Sequence, residues 1–245
     1  MSAPPYIRCR GLEKAFGAKP VLRGLTLDVL TGETLVVLGG SGSGKSVLLK
    51  HMNALLIPDA GEVEVDGVVL QRLDEDALVP LRRNVAMLFQ QGALFDSLTV
   101  GENIAYPLRE HRLLPPAAIP GRVRQALEMV GLAGSENLMP AELSGGMRKR
   151  AALARALVLE PRALLYDEPT TGLDPVVAAK INHLIRDMQR RLGVSSVVVT
   201  HDLGSAFLVA DRIAFLHDGR IRFIGTPDEA RASRDPFLHE FLNAA

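Results

Sequence analysis

Three short runs along this chain are apolar without alternation: Leu35–Leu38, Ala163–Tyr166 and the valine-rich Ser196–Thr200. Such runs predict strands buried on both faces, as in parallel sheets covered by helices. Elsewhere apolar and polar positions alternate, over Tyr6–Arg10, Leu25–Val29 and Glu62–Val68, and over the pair Arg212–Leu216 and Arg220–Ile224. A period of two predicts strands with one wet face. Asp218-Gly219 between the last pair fits a two-residue hairpin turn, where glycine tolerates positive φ. Together the alternating segments predict an antiparallel β layer beside a parallel core.

Residues near 93–145 follow a different period. Thr99 and Glu102 fit a helix capping box, each side chain satisfying a free backbone N–H of the first turn. The proline-rich stretch Leu114–Pro120 breaks the chain, after which Val123, Ala126, Leu127 and Val130 recur at helical spacing before Gly131. A helical subdomain inserted into the α/β core is the expectation. Thr226-Pro227 and Asp235-Pro236 read as cap-plus-first-position signals for two short helices, giving a helical tail over 226–245. With no repeat or long linker, residues 1–245 are expected to form a single domain.

Composition narrows the function classes. Lys+Arg and Asp+Glu number 28 each, so no global field draws in nucleic acid, and none is expected as a partner. The lone Cys9 cannot form an internal disulfide and fits a reducing compartment. The N-terminal residues lack the apolar core of a signal peptide, and no run reaches the roughly 18–20 residues that span a bilayer. The expectation is a cytoplasmic protein whose membrane role, if any, comes through a partner.

The chemistry sits at the ends of the unbroken apolar runs. Gly39-Gly40-Ser41-Gly42-Ser43-Gly44-Lys45-Ser46 follows the first run and matches the phosphate-loop pattern. Its glycines let successive N–H groups turn toward phosphates, and the helix that opens there, with Val47 on it, presents its positive end. Lys45 can reach the β- and γ-phosphates, and the Ser46 hydroxyl can ligate Mg²⁺. A glycine-rich turn that merely starts a helix is the bland alternative. Asp167-Glu168 ends the second run. Adjacent carboxylates on a strand face different ways, so Asp167 fits a partner of Mg²⁺ and Glu168 the group that polarises an attacking water. A solvated acidic turn before Pro169 is the alternative there. Ser144 has the features of a helix N-cap, and Gly145-Gly146 would leave the first N–H groups of that helix, expected to run to Leu159, open to a second anion. His201 follows the third run, and Gln90 follows the apolar Val85–Phe89.

The order phosphate loop, glutamine, Leu143-Ser144-Gly145-Gly146-Met147, acidic strand, histidine resembles that of the ABC ATPases over nearly the whole chain. That resemblance implies a RecA-like P-loop NTPase core, with a parallel sheet, an antiparallel β subdomain and an inserted helical subdomain. ATP and Mg²⁺ are the implied cofactors. It implies a head-to-tail dimer with a second copy, in which Ser144, Gly145 and Gly146 close over the γ-phosphate held by the opposite subunit. By the same resemblance Gln90 or its neighbour Gln91 contacts Mg²⁺ and senses a transmembrane partner, and His201 contacts the γ-phosphate. Gly172-Leu173-Asp174-Pro175 would touch the other subunit, though a turn leading into a helix explains it equally. Phe16 would stack on adenine, with a place in a core strand as the alternative. Glu168, His201 and Lys45 are then the catalytic candidates.

Within that family, Phe89–Val100, Tyr106–His111, Leu138–Met147 and Arg150–Ala156 are similar to the Mla/Mce phospholipid-transport ATPases. This implies ATP-driven phospholipid movement between inner and outer membranes, from the cytoplasmic face of the inner membrane. The partners it implies are an inner-membrane permease (MlaE-like), an MCE-domain lipid-binding protein (MlaD-like) and a STAS-domain subunit (MlaB-like). Leu94, Phe95, Leu98, Val100 and Tyr106 could offer a permease helix an apolar groove, or be the insert's own core. Three alternatives stand beside this reading: the ATPase of an importer for amino acids or another small solute, an ABC module in translation or DNA repair, and a nucleotide sensor without turnover.

Overall fold

The computed structural model describes residues 4–243, so the outermost residues of the expected domain and tail, 1–3 and 244–245, lie outside it. The chain runs β1 (Pro5–Phe16), β2 (Lys19–Leu30), β3 (Thr34–Leu38), α1 (Lys45–Met52), β4 (Ala60–Val65), β5 (Val68–Val69), α2 (Glu75–Asn84) and β6 (Val85–Leu88). Then come α3 (Val100–Glu110), α4 (Ile119–Met129), α5 (Gly145–Leu157), β7 (Ala163–Asp167), α6 (Pro175–Leu192), β8 (Ser195–Thr200) and α7 (Leu203–Val209). The hairpin β9 (Arg212–His217) and β10 (Arg220–Gly225) and the short helices α8 (Pro227–Arg231) and α9 (Pro236–Asn243) complete it.

A six-stranded sheet in the order β10-β9-β3-β8-β7-β6 forms the centre, and a four-stranded antiparallel sheet, β2-β1-β4-β5, lies over it. Every residue of β3, β7 and β8 is buried. Alternation along these strands divides their side chains between two cores. Val36, Leu38, Leu164, Tyr166 and Val198 pack with the helices α3 to α7. Leu35, Val37, Leu165, Val197 and Val199 face α1 and the antiparallel sheet. Burial on both faces is why these strands lack alternation in the sequence.

Two expectations about strands need correction. The hairpin at Arg212–Ile224 does not belong to the antiparallel layer: β9 pairs in parallel with β3 and extends the central sheet, with β10 antiparallel at its edge. Only β10, at the edge, keeps one face wet and alternates; Ile213–Leu216 of β9 are buried on both faces, against the alternation expected there. The segment Glu62–Val68 is also not one strand. Asp66 and Gly67, both at positive φ, turn the chain between β4 and β5.

In the helical segment, the Thr99 hydroxyl accepts from the Glu102 N–H at 3.2 Å, and the Glu102 carboxylate accepts from the Thr99 N–H at 2.8 Å, completing a capping box. The proline-rich break ends earlier than expected, since α4 begins at Ile119 with Pro120 in its first turn, where a missing N–H costs nothing. The helix after Ser144 stops at Leu157, two residues short of the expected end. Ile104 on α3 is fully buried in the core shared with the central sheet. Ile104→Ala is therefore expected to lower unfolding free energy by about 2–5 kcal/mol in a urea titration. A loss below about 1 kcal/mol would mean that this segment contributes little to global stability.

Candidate active site

The parallel register delivers the chemistry to one edge. Leu38 lies opposite Thr200, Asp167 opposite Val199, and Leu88 opposite Tyr166, so the chain leaves β3, β6, β7 and β8 on the same side of the sheet. A cleft of about 760 Å³ opens there, lined by Phe16, Gly40, Lys45, Ser46, Glu168 and His201 among others.

The phosphate loop leaves β3 and enters α1 through Gly44, at φ 105° with no side-chain cap on the helix. A side chain there would be strained and would also press on Val21 and Leu22. The first N–H groups of α1 therefore point free into the cleft. Lys45 folds back over the loop, its Nζ donating to the Gly39 and Gly40 carbonyls at 2.8 and 3.0 Å and lying 3.7 Å from Glu168 Oε1. Burial pushes its ammonium below the ordinary lysine value, with Glu168 opposing. The Ser43 hydroxyl is shielded from solvent without a hydrogen-bond partner among the described residues. Ser41, Gly42 and Val47 also line the cleft.

The Ser46 hydroxyl donates to Asp167 Oδ1 at 2.7 Å. Burial raises the Asp167 carboxyl above its usual range, and the Ser46 hydrogen bond is the largest opposing influence. A buried carboxylate, a hydroxyl and, on the same cleft, the Gln90 carboxamide offer hard oxygen donors that suit Mg²⁺. Gln91 points elsewhere, lining a second cavity, which separates the two neighbouring glutamines.

Glu168 is nearly buried and sits at φ 48°, a left-handed conformation unusual for a residue with a side chain, and it precedes Pro169. Its N–H donates to the Val199 carbonyl at 3.0 Å, which holds that strained backbone against β8. His201 Nδ1 lies 3.0 Å from Oε1, while Thr171 and Thr200 hydroxyls donate to Oε2 at 3.1 and 3.3 Å. Those partners fix the carboxylate's direction toward Lys45 and the loop. The His201 ring remains more than half exposed at the cleft mouth. Phe16 ends β1 half-exposed on the cleft, outside the core.

Ser144, Gly145 and Gly146 do not join this group. Ser144 caps α5, its Oγ accepting from the Met147 N–H at 3.3 Å. Gly145 lines the second cavity with Gln91, Arg148, Thr171, Gly172 and Leu173. A Cβ on Gly146 would come within 2.4 Å of Val177 Cγ1 on α6, so a larger residue there would force the two helices or the valine side chain to shift. Asp174 caps α6, accepting from the Val176 and Val177 N–H groups at 3.0 Å each, with Pro175 in the first turn. Of the expected groove, Val100 is core and Leu94 and Leu98 are half-buried. Phe95 and Tyr106 stand exposed as a tilted aromatic pair with centroids 4.9 Å apart.

Some site residues carry no sequence signal. Thr200, the last residue of β8, reaches Glu168 across the sheet, and Thr171 reaches back to it from three residues further on. Phe241 on α9 lines the cleft although some 200 residues separate it from the phosphate loop. Lys149, inside an apparently ordinary basic run, is buried against the Gln90 and Glu168 backbones.

The family model for ABC transporters matches residues 22–171. Over 97% of its length the chain is 41% identical to the probable ribonucleotide transport ATP-binding protein mkl of Mycobacterium leprae, covering 68% of that protein. It is 40% identical over 93% of its length to the intermembrane phospholipid transport system ATP-binding protein MlaF of Escherichia coli, covering 84% of that relative. Among solved structures, the dimeric post-hydrolysis ATP-binding cassette MJ0796 bound to ADP and Pi superposes with a TM-score of 0.82 at 33% identity, over 90% of this chain and 98% of that one.

The raised Asp167 carboxyl has a stability consequence. Ionising it burdens the nucleotide-free fold; the burden is complete above the folded-state pKa and is relieved as pH falls through it toward the unfolded value. Asp167→Asn keeps an oxygen for Ser46 and is expected to raise the thermal midpoint of nucleotide-free protein at pH 7, by about 2–4 °C per kcal/mol relieved. The gain should shrink as the pH is lowered. An equal or lower midpoint at pH 7 would mean that nearby cations already offset the charge.

Proposed function

Since the chain belongs to the ABC transporter family and is one of its ATPases, we propose that it drives phospholipid transport between two membranes as one half of a head-to-tail dimer. One observation carries the dimer: the phosphate loop, Gln90, Glu168 and His201 share a cleft that Ser144–Gly146 does not reach. A second copy turned head to tail would bring its Ser144 hydroxyl and the free N–H groups of its α5 over that cleft, completing an anion site from both sides.

In each half-site the α1 N–H groups and Lys45 bind the β- and γ-phosphates. Phe16 offers its exposed ring to adenine. Ser46, Asp167 and Gln90 would hold Mg²⁺, which would supply positive charge against the phosphates. Glu168 accepts a hydrogen bond from the attacking water and draws on its proton. His201, anchored to Glu168 through Nδ1, leaves its other ring nitrogen to the γ-phosphate side. Loss of that phosphate removes the shared ligand, so hydrolysis opens the dimer.

Phospholipid as cargo is supported by the resemblance of Phe89–Val100 and Leu138–Met147 to Mla/Mce ATPases and by the 40% identity to MlaF. The exposed Phe95–Tyr106 pair offers an inner-membrane permease a hydrophobic foothold at the cytoplasmic face. No helix among the described residues is long and apolar enough to cross a membrane. An MCE-domain protein and a STAS-domain subunit complete the proposed complex. A second reading, transport of a ribonucleotide or another small solute, draws on the name of the mycobacterial relative.

Glu168→Gln is expected to lower ATP turnover by about 10²–10⁴-fold and to trap an ATP-bound dimer visible by size-exclusion chromatography. Unimpaired phosphate release would remove Glu168 from the role of base. Cargo is tested by mass spectrometry of the complex isolated with a tagged copy from native membranes in mild detergent. A permease with an MCE protein and bound phospholipid is the expected outcome, and a permease with a solute-binding protein would favour the second reading.

A further inference from the structure

One cation beside the cleft has no part in these steps. Lys149, one turn beyond Ser144 on α5, is 6% exposed and joins none of the ion pairs among the described residues. Its Nζ donates to the main-chain carbonyl of Gln90 and, at 3.2 Å, to that of Glu168. Burial pushes the ammonium below the ordinary lysine value, while the Asp167 and Glu168 charges oppose that shift. A methionine of similar length would fill this space without the cost of a buried charge. What the lysine adds is its set of donors.

Where those donors go is informative. The β6–β7 ladder ends at the pair Leu88 and Tyr166. Gln90 and Glu168 each lie two residues beyond that pair, where no backbone rung of the ladder holds the two segments together. Glu168 is also the residue with the left-handed backbone, and Gln90 is the glutamine that faces the cleft. A single buried ammonium therefore ties three elements: the loop after β6, the loop after β7, and the helix that begins at Ser144.

We propose that Lys149 is a positioning residue for ATP hydrolysis, replacing the missing rung between Gln90 and Glu168 and fixing both to the helix of Ser144–Gly146. The proposal rests on the roles assigned above to Gln90 and Glu168. Lys149 makes no hydrogen bond to the phosphate loop, so its loss leaves nucleotide binding in place. It frees the spacing between amide and carboxylate, and misplacing a reacting group by about 1 Å can cost about 10²-fold in rate.

The test uses the whole chain with Lys149→Met, Lys149→Arg and Gln90→Ala, the double variant Gln90→Ala/Lys149→Met, and Glu168→Gln in parallel. Lys149→Met is expected to lower kcat by about 10–100-fold, with ADP affinity in the absence of Mg²⁺ within about two-fold of the parent and a native-like melting profile. Lys149→Arg, which keeps the charge and the donors, should recover most of the turnover. The double variant should fall short of the product of the two single effects, because Gln90→Ala keeps the main-chain carbonyl that Lys149 holds but removes the carboxamide through which part of the Lys149 effect runs. Full turnover by folded Lys149→Met overturns the proposal. So does a joint loss of stability and ADP affinity that arginine does not rescue, which would mark a merely structural lysine, and so do additive effects with Gln90→Ala. If the methionine variant does not fold, Lys149→Gln is read by the same criteria. An active Glu168→Gln protein would instead remove the reading on which the proposal rests, and the two failures are told apart.

Discussion

Four parallel strands end together along one edge of the sheet, and the rest of the molecule depends on that alignment. Adjacent ladder partners sit about 4.8 Å apart, so groups carried at the ends of neighbouring strands fall within reach of one small ligand. The phosphate loop follows β3, the carboxylates end β7, the threonine and histidine end β8, and the glutamine follows β6. No contact local in sequence could assemble these groups, because Lys45 and Glu168 are more than a hundred residues apart. The cores on either side of the sheet are what hold the alignment.

That alignment costs the fold stability. Asp167, Glu168 and Lys45 are all less than a tenth exposed, and Glu168 is held in a strained backbone conformation. Burial works against the charge on both Asp167 and Lys45. Such an edge is less stable alone than a neutral one of the same shape, and a ligand rich in negative charge, accompanied by a cation, relieves the tension. The Ser43 hydroxyl, without a partner among the described residues, and the uncapped start of α1 point the same way. Function here draws on stability supplied by the rest of the fold.

Nor is the edge sufficient by itself. The helix opening at Ser144 carries a second anion-binding end, yet its glycines serve packing as well as exposure, since Gly146 lets α5 approach Val177 on α6. The same helix reaches the Gln90 and Glu168 backbones through Lys149. One side chain thus ties this helix to the main chain on either side of the cleft edge. The exposed aromatic pair Phe95–Tyr106 lies in the segment that follows Gln90, with the Arg155 guanidinium of the same helix 5.9 Å from the Phe95 ring.

Much of this was legible in the sequence, for reasons that differ by residue. Strands β3, β7 and β8 were readable because burial on both faces leaves no alternation, and the phosphate loop because its chemistry needs glycines, a lysine and a hydroxyl at fixed spacing. The cap at Thr99 was readable because its partner Glu102 lies within one helical turn. What sequence could not decide were relations between distant segments: which sheet the β9–β10 hairpin would join, which of Gln90 and Gln91 would face the cleft, and that Val100 would sink into the core while Phe95 stayed out. Nor did it single out Thr171, Thr200, Phe241 or Lys149, whose roles arise only where the folded chain brings them to the cleft and to Glu168. Local chemistry and periodicity are written in neighbouring residues and so belong to the sequence alone. Register, facing and long-range contact are settled by packing, and only the tertiary structure decides them.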